Sequence, residues 1–299
     1  MKVNLLTLLL VFSMVASVHA QVGENTSLFV QDSLKLISSQ FKFTEGASVD
    51  KMGNVFFTDQ PSNQIWKYGI DGKLSLFLAN AGRSNGTYFD KKGNLIACAD
   101  EHNEIWSISP KGKVKLLYKN PIGANLNGPN DVWLDAKGGM YFTDPYYQRA
   151  YWIRQKPDIK GEKVYYLPKG KNNIITVDSD LVRPNGIVGT PNGKILYVAD
   201  ALSAKIYQYA IQADATLSNR KLFVAQRSDG MTLDERGNLY LTGKNGVAIY
   251  SSTGEHIGTI KIPEPHTANL CFGGKNKDIL FITASKSVYV LKMNVKGVE

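Results

Sequence analysis

The chain has 299 residues, of which 43% are hydrophobic and 20% charged, and its formal net charge is +9. This is an ordinary globular composition without a low-complexity tract, and it fits one large domain or two small ones. The Lys and Arg residues are scattered, and the chain lacks the arginine-rich run or basic helical stripe that would indicate a nucleic-acid partner.

The first twenty residues differ from the rest. They combine Lys2, an apolar run from Leu5 to Val15 and small residues before Ala20. This pattern predicts a signal peptide cleaved after Ala20, and therefore a secreted or periplasmic protein. An uncleaved membrane anchor is the alternative, but a spanning helix needs about 20 apolar residues. No later segment is long enough to span a bilayer, so we expect no stable membrane insertion.

Six segments with a common pattern follow one another along the rest of the chain. The spacings between their first residues are 40, 45, 55, 44 and 40. Repeats of about 40–45 residues made of short strands indicate the blades of a β-propeller. The segments begin at Glu45, Asn85, Asn130, Asn185, Asp229 and Asn269.

Each segment is expected to form one four-stranded antiparallel blade. An apolar strand leads into a tight turn such as Asp-x-x-Gly-Asn, and a second, third and fourth strand follow. The sixth blade lacks a fourth strand, because the chain ends too soon. We expect the run from Asp32 to Ser38 to supply it and close the ring, which protects both edges. The prediction is an all-β, six-bladed propeller in one domain, residues 21–299.

Two cysteines, Cys98 and Cys271, lie in apolar strand-like runs. They could pair in an exported protein, but a cysteine in such a run is more often a small buried hydrophobic residue. We therefore expect both to be free and buried.

The first residue of each segment should reach one rim of the central channel, because the first strand of a blade lines the channel. All six residues carry side-chain oxygen, and two are carboxylates. Such a ring suits a hard divalent cation, most readily Ca²⁺, with Mg²⁺ or Zn²⁺ as alternatives. The absence of His and Cys from the ring counts against zinc. Alternatively, Asn and Asp are simply good residues for entering a strand from a turn.

The chain resembles the gluconolactonase, regucalcin and luciferin-regenerating-enzyme family. The resemblance covers nearly all of the chain after Ala20, and five motifs carry it. They are TEGASVD, SNGTYFD with GNLIACADEHNEIW, GPNDVWLD with MYFTDPYY, RPNGI with LYVAD, and SDGMTLDERGNLY.

The resemblance implies a six-bladed propeller that holds a divalent metal, usually calcium, and hydrolyses sugar lactones. It implies metal ligation by Glu45, Asn185 and Asp229, with Asp229 also the candidate general base. Asn130 would reach substrate or metal, and Asn85 would line the pocket. The usual Glu-Gly-Pro is Glu45-Gly46-Ala47 here, and Gly128-Pro129 stands where some animal members have an arginine before the substrate asparagine. Arg83 could supply the missing cation.

Further polar residues are expected at the same rim, because the second strand of each blade runs back to it. Asp144 and Asp200 are reserve candidates for the general base, although Asp often only caps a loop. His102 is either a substrate contact or a surface histidine. No nucleophile elbow or Ser-His-Asp order is visible, which disfavours covalent acyl transfer.

An insertion in the third blade, residues 145–161, is expected to overhang the rim. Its aromatic and cationic side chains suit a polyhydroxylated, acidic or aromatic ligand, although the loop could instead pack on itself. The predicted lid residues are Tyr146, Tyr147, Arg149 and Trp152.

Two functions compete at this point. The first is a metal-dependent lactonase that acts on a small sugar lactone. The second is a non-catalytic propeller that binds calcium or another ligand, because the fold alone does not determine function.

Overall fold

A computed structural model describes residues 27–120 and 124–299; the predicted signal peptide lies outside these ranges. The described residues form 24 β-strands in six four-stranded antiparallel sheets, with one short 3-10 helix, Gln60–Ser62. This confirms the predicted all-β propeller with six blades. No helix among the described residues has the length and apolar character that crossing a bilayer requires.

The strands follow one another blade by blade. Blade one contains β2 (Thr44–Val49), β3 (Val55–Asp59), β4 (Gln64–Tyr68) and β5 (Leu74–Ala79). Blade two contains β6 (Ser84–Phe89), β7 (Leu95–Ala99), β8 (Glu104–Ile108) and β9 (Val114–Tyr118). Blade three contains β10 (Val132–Leu134), β11 (Met140–Asp144), β12 (Lys163–Leu167) and β13 (Ile175–Asp178).

The second half repeats this order. Blade four contains β14 (Pro184–Gly189), β15 (Ile195–Asp200), β16 (Lys205–Ile211) and β17 (Leu217–Val224). Blade five contains β18 (Met231–Leu233), β19 (Leu239–Gly243), β20 (Gly246–Tyr250) and β21 (His256–Ile260). Blade six contains β22 (Thr267–Gly273), β23 (Ile279–Ala284), β24 (Ser287–Lys292) and β1 (Lys35–Ser38).

The Asp-x-x-Gly-Asn sequence forms the turn between the first two strands of a blade. In blade one, Asp50 Oδ1 accepts hydrogen bonds from the backbone N–H groups of Met52 and Asn54, both at 2.9 Å. Asn54 Nδ2 donates to Asp50 Oδ2 at 2.7 Å. Gly53 has φ +91, a left-handed conformation that glycine adopts without strain. Blades two and five repeat these side-chain bonds, so a local sequence signal fixes each hairpin.

Strand β1 closes the ring as predicted. It pairs antiparallel with β24, with Lys35 opposite Val290 and Leu36 opposite Tyr289. The contact extends beyond the expected start at Asp32, because Phe29 forms a bridge with Met293. The ends of the described chain thus hold one blade together.

The core lies between neighbouring blades as apolar clusters. Phe57 of blade one, for example, packs against Phe281 of blade six with ring centroids 5.3 Å apart. Cys98 and Cys271 are free and buried in different clusters, as expected. Burial raises the pKa of both thiols, which keeps them protonated and unreactive.

Removal of β1 tests ring closure. A chain that starts at Gln40 should melt at least about 5 °C below one that starts at Ser27, because β24 then exposes an unpaired edge. Circular dichroism measures the melting temperature, and light scattering reports aggregation through the free edge. Equal melting temperatures for the two chains would show that β1 contributes nothing to closure.

Candidate metal and substrate site at the ring face

Five of the six predicted ring residues occupy equivalent positions at one mouth of the central channel, called the ring face below. In blades one and three, a threonine of the second strand bonds to the ring residue of the next blade. Thr58 Oγ1 donates to the carbonyl of Asn85 at 3.2 Å, and Thr143 Oγ1 donates to that of Asn185 at 2.7 Å. These five are buried or half-buried, and they are Glu45, Asn85, Asn130, Asn185 and Asp229.

The prediction for blade six was wrong by one residue. There the bond from Thr242 Oγ1, at 2.9 Å, goes to the carbonyl of Ala268. Asn269 lies one step further along β22, and its Oδ1 accepts the N–H of Leu270 at 2.8 Å. The ring therefore has five oxygen-bearing side chains and one alanine, and the Asn269 side chain binds the backbone of its own strand.

The residue after each ring position lies very close to the next blade. It is glycine in four blades, and a Cβ at Gly186 would lie 2.1 Å from the carbonyl oxygen of Asp229. Blade three has Asp131 there, a residue that the sequence reasoning missed. Its carboxylate accepts N–H groups from Val132 at 2.9 Å and from Ile187 of blade four at 3.3 Å. Asn269 of blade six is the other departure from glycine, and such a departure was the signal that could have identified Asp131.

Buried carboxylates dominate the electrostatics of the ring face. Burial raises the pKa of Glu45 well above its ordinary range, and the nearby Asp229 and Asp131 raise it further. Burial also raises the pKa of Asp131 to about 7. The Glu45 carboxylate accepts one long bond, 3.4 Å from the N–H of Gly46. Between residues 27 and 120 and from 124 onward, no basic side chain forms an ion pair with Glu45.

This charge distribution fits a bound divalent cation, which would compensate the charge of the buried Glu45 carboxylate. Within the described ranges, no group of three or more His, Cys, Asp or Glu side chains is placed to hold a metal. A cation here would therefore depend on the amide oxygens of Asn130 and Asn185 together with Glu45 and Asp229. Such a mixed oxygen set suits calcium better than zinc.

His266 is the second residue that sequence reasoning missed. Its Nε2 lies 2.8 Å from Asp229 Oδ2, and its ring stacks on Phe43 with centroids 5.8 Å apart. It precedes the true ring position of blade six, Ala268, by two residues. Arg83 and Arg183 have the same offset in blades two and four, so this position repeatedly places a polar side chain beside the ring.

Asp144 and Asp200 have a structural role instead of the predicted contact with water or substrate. Asp144 is fully buried and accepts the N–H groups of Asn127 and Gly128 at 2.9 and 2.8 Å. Asp200 accepts those of Val182 and Arg183 at 3.1 and 2.8 Å. Both carboxylates hold the loop that enters the first strand of their own blade, which leaves Asp229 as the candidate base.

His102 and Arg83 also make contacts other than those predicted with substrate. The His102 side chain is 51% exposed and stacks on Trp106, which matches the surface interpretation. Arg83 Nη1 donates to the carbonyl of Pro61 at 2.7 Å, and its guanidinium lies 4.6 Å from the ring centroid of Tyr151. Arg83 thus supports the insertion of blade three.

The insertion between β11 and β12 both covers the ring and packs on itself. Tyr147 reaches the ring, since its hydroxyl lies 3.2 Å from Asn185 Nδ2. Arg149 Nε donates to Asp100 Oδ2 at 2.8 Å. Trp152 is buried and donates from Nε1 to the carbonyl of Asp100 at 3.1 Å, while Tyr146 packs against it. The buried Asp100 therefore anchors a loop whose tyrosine faces the ring.

Comparison with known proteins agrees with this geometry. Residues 43–286 match the family described as the SMP-30/Gluconolactonase/LRE-like region. The chain belongs to this family. The match begins two residues before Glu45 and extends past His266, so it includes every ring position.

Individual relatives cover most of the chain. A gluconolactonase from Zymomonas mobilis is 29% identical over 90% of this chain and 84% of its own length. A solved structure with a provisional assignment as a gluconolactonase has a TM-score of 0.84 at 27% identity and covers 91% of this chain and 96% of its own. A gluconolactonase from Xanthomonas campestris has a TM-score of 0.82, with coverage of 89% and 91%. At 24% identity, this last likeness supports the fold alone.

Substitution of Gly186 tests the close approach of the first strands. Gly186→Ala should lower the free energy of unfolding by roughly 1–3 kcal/mol, because the new Cβ would strike the backbone of Asp229. Gly243→Ala is the matched control, since its nearest neighbour would lie at an ordinary 3.7 Å. Urea unfolding compares the two, and equal stability would contradict the packing described.

Proposed function

We propose that this protein is a metal-dependent hydrolase that opens a small sugar lactone such as glucono-1,5-lactone. The observation that carries the proposal is the pair of carboxylates at the ring: Glu45 is buried and forms no ion pair within the described ranges, and the nearby Asp229 raises its pKa further. Membership of a family that includes a gluconolactonase from Zymomonas mobilis supports the substrate class.

Four residues would hold the cation. Glu45 and Asp229 supply negative charge, and Asn130 and Asn185 supply neutral oxygens. A bound Ca²⁺, or Mg²⁺ or Zn²⁺ in its place, would polarise the lactone carbonyl as a Lewis acid. Asn85 is buried beside this set and lines the same ring.

The chain's own groups supply the proton transfer. Lactone opening adds one water: its oxygen bonds to the carbonyl carbon, the ring C–O bond breaks, and a proton reaches the departing oxygen to give a hydroxy acid. Asp229 can accept the proton of the attacking water. The hydrogen bond between His266 Nε2 and Asp229 Oδ2 fixes the orientation of that carboxylate. His266 is therefore a positioning residue for the base.

The insertion provides the wall that would face the substrate. Tyr147 is held at the ring by Asn185, and two guanidinium groups flank its ring. Arg149 lies 5.5 Å and Arg183 4.7 Å from its centroid. Arg183 is paired with Glu162 at 3.0 Å. An aromatic face with adjacent hydrogen-bond donors suits a polyhydroxylated ring.

A lactone panel with chelation tests the proposal. Purified protein should release acid from an aldonolactone, and chelation should abolish turnover. Asp229→Asn should lower kcat by about 10²–10⁴-fold while the fold persists, because it removes the base. Glu101→Gln, on the same rim but outside the ring, is the control and should keep normal rates.

Two outcomes would contradict this function. If metal-loaded protein turns over no lactone, the protein is a non-catalytic propeller that binds calcium or another ligand. If Asp229→Asn and Glu101→Gln have equal rates, the base lies elsewhere. Circular dichroism of both variants separates either outcome from misfolding.

A further inference from the structure

The face opposite the ring residues carries the turn between the first and second strands of every blade, and it is called the turn face below. A concavity of about 1500 Å³ opens there under blades one to three. Nine lysines line it, against four acidic side chains. The lysines in exposed turns include Lys51, Lys92, Lys113, Lys169 and Lys171.

Of the four acidic side chains, Glu299 is attracted to Lys277, and the other three are bonded within their own blades. Asp50 and Asp90 each bind backbone N–H groups and an asparagine side chain within their own turn. Asp135 accepts the N–H of Gly139 at 2.9 Å and the hydroxyl of Tyr166 at 2.7 Å. None of the nine lysines belongs to an ion pair of residues 27–120 and 124–299. The turn face therefore presents an excess of positive charge.

Apolar side chains project beside the lysines. Met52 is 66% and Ile70 52% exposed, and both lie at the tips of turns in blade one. The N–H of Ile70 donates to Asn54 Oδ1 at 3.1 Å, so the two turns are neighbours. Apolar side chains flanked by lysines match the interface of a membrane with anionic headgroups. Phe89 and Leu117 line the concavity and would suit part of an acyl chain.

We propose that the turn face docks reversibly on membranes that contain anionic phospholipids. The lysines contact the headgroups, and Met52 and Ile70 enter the interface. The ring face then points away from the membrane and stays open to a soluble substrate. The proposal is independent of the lactonase activity, since it uses no ring residue.

Vesicle sedimentation with residues 21–299, the chain that remains after the predicted cleavage, tests this docking. The protein should sediment with phosphatidylcholine vesicles that contain roughly one third phosphatidylglycerol, and not with phosphatidylcholine alone. Added salt should weaken binding, because it screens exposed charges. In that chain, changing Lys51, Lys92, Lys113 and Lys169 each to Glu should weaken vesicle binding at least about ten-fold.

A charge-matched variant controls for net charge. It carries Glu in place of Lys42, Lys205, Lys244 and Lys286, which are exposed at the ring face. It should retain binding within about two-fold, because those charges point away from the membrane. Equal loss in both variants, or wild-type binding to neutral vesicles, would overturn the proposal.

A second pair of substitutions distinguishes binding to a membrane from binding to a soluble polyanion. Met52→Ser with Ile70→Ser should weaken vesicle binding and leave the melting temperature unchanged, because both side chains are exposed. Unchanged vesicle binding would argue against insertion of these side chains. Retention on heparin without any vesicle binding would show that the turn face binds a soluble polyanion and would contradict the proposal.

Discussion

The first strands of the six blades approach one another so closely at the axis that most have no room for a side chain after the ring position. A Cβ at Gly46 would lie 2.0 Å from the carbonyl oxygen of Asn85, and a Cβ at Gly186 would lie 2.1 Å from that of Asp229. The ring residues that precede these glycines are consequently crowded at one mouth of the channel. Fold and site depend on this one constraint, because the packing that closes the propeller also brings Glu45 and Asp229 together.

Crowding has an electrostatic cost that a ligand can offset. Asp131 and Asp229 are close enough to raise the pKa of Glu45, and burial removes the water that would otherwise solvate the Glu45 carboxylate. Structures rarely retain buried carboxylates without a partner unless the charge is used. A cation site accounts for this arrangement more simply than strand-entry preferences, which do not explain Glu45.

The architecture could be predicted because its signals are local. Each Asp-x-x-Gly-Asn turn satisfies its own hydrogen bonds, so the hairpins and the closure by β1 follow from spacing alone. Blade six was misaligned because its turn lacks that signal, and Asn269 is as polar as a true ring residue. Asp144 and Asp200 were misassigned for a different reason. Whether a carboxylate caps a loop depends on backbone N–H groups 16 to 18 residues away, which spacing does not reveal.

The two faces of the propeller differ in how their charges are balanced. At the ring face, arginines are paired with carboxylates around the insertion, Asp229 contacts His266, and Glu45 forms no ion pair among the described residues. At the turn face, Asp50, Asp90 and Asp135 bind groups of their own turns and blades, and the nine lysines of the concavity form no ion pair among the described residues. The repeated turn motif therefore produces both the hairpins and the charge of that face.

A crystal structure from crystals grown with calcium would show whether the ring face binds a divalent cation. We predict one ion at the ring face, with oxygen ligands from Glu45, Asn130, Asn185 and Asp229 at about 2.3–2.6 Å. An ion bound elsewhere, or a water-filled ring in crystals that contain ample calcium, would contradict it.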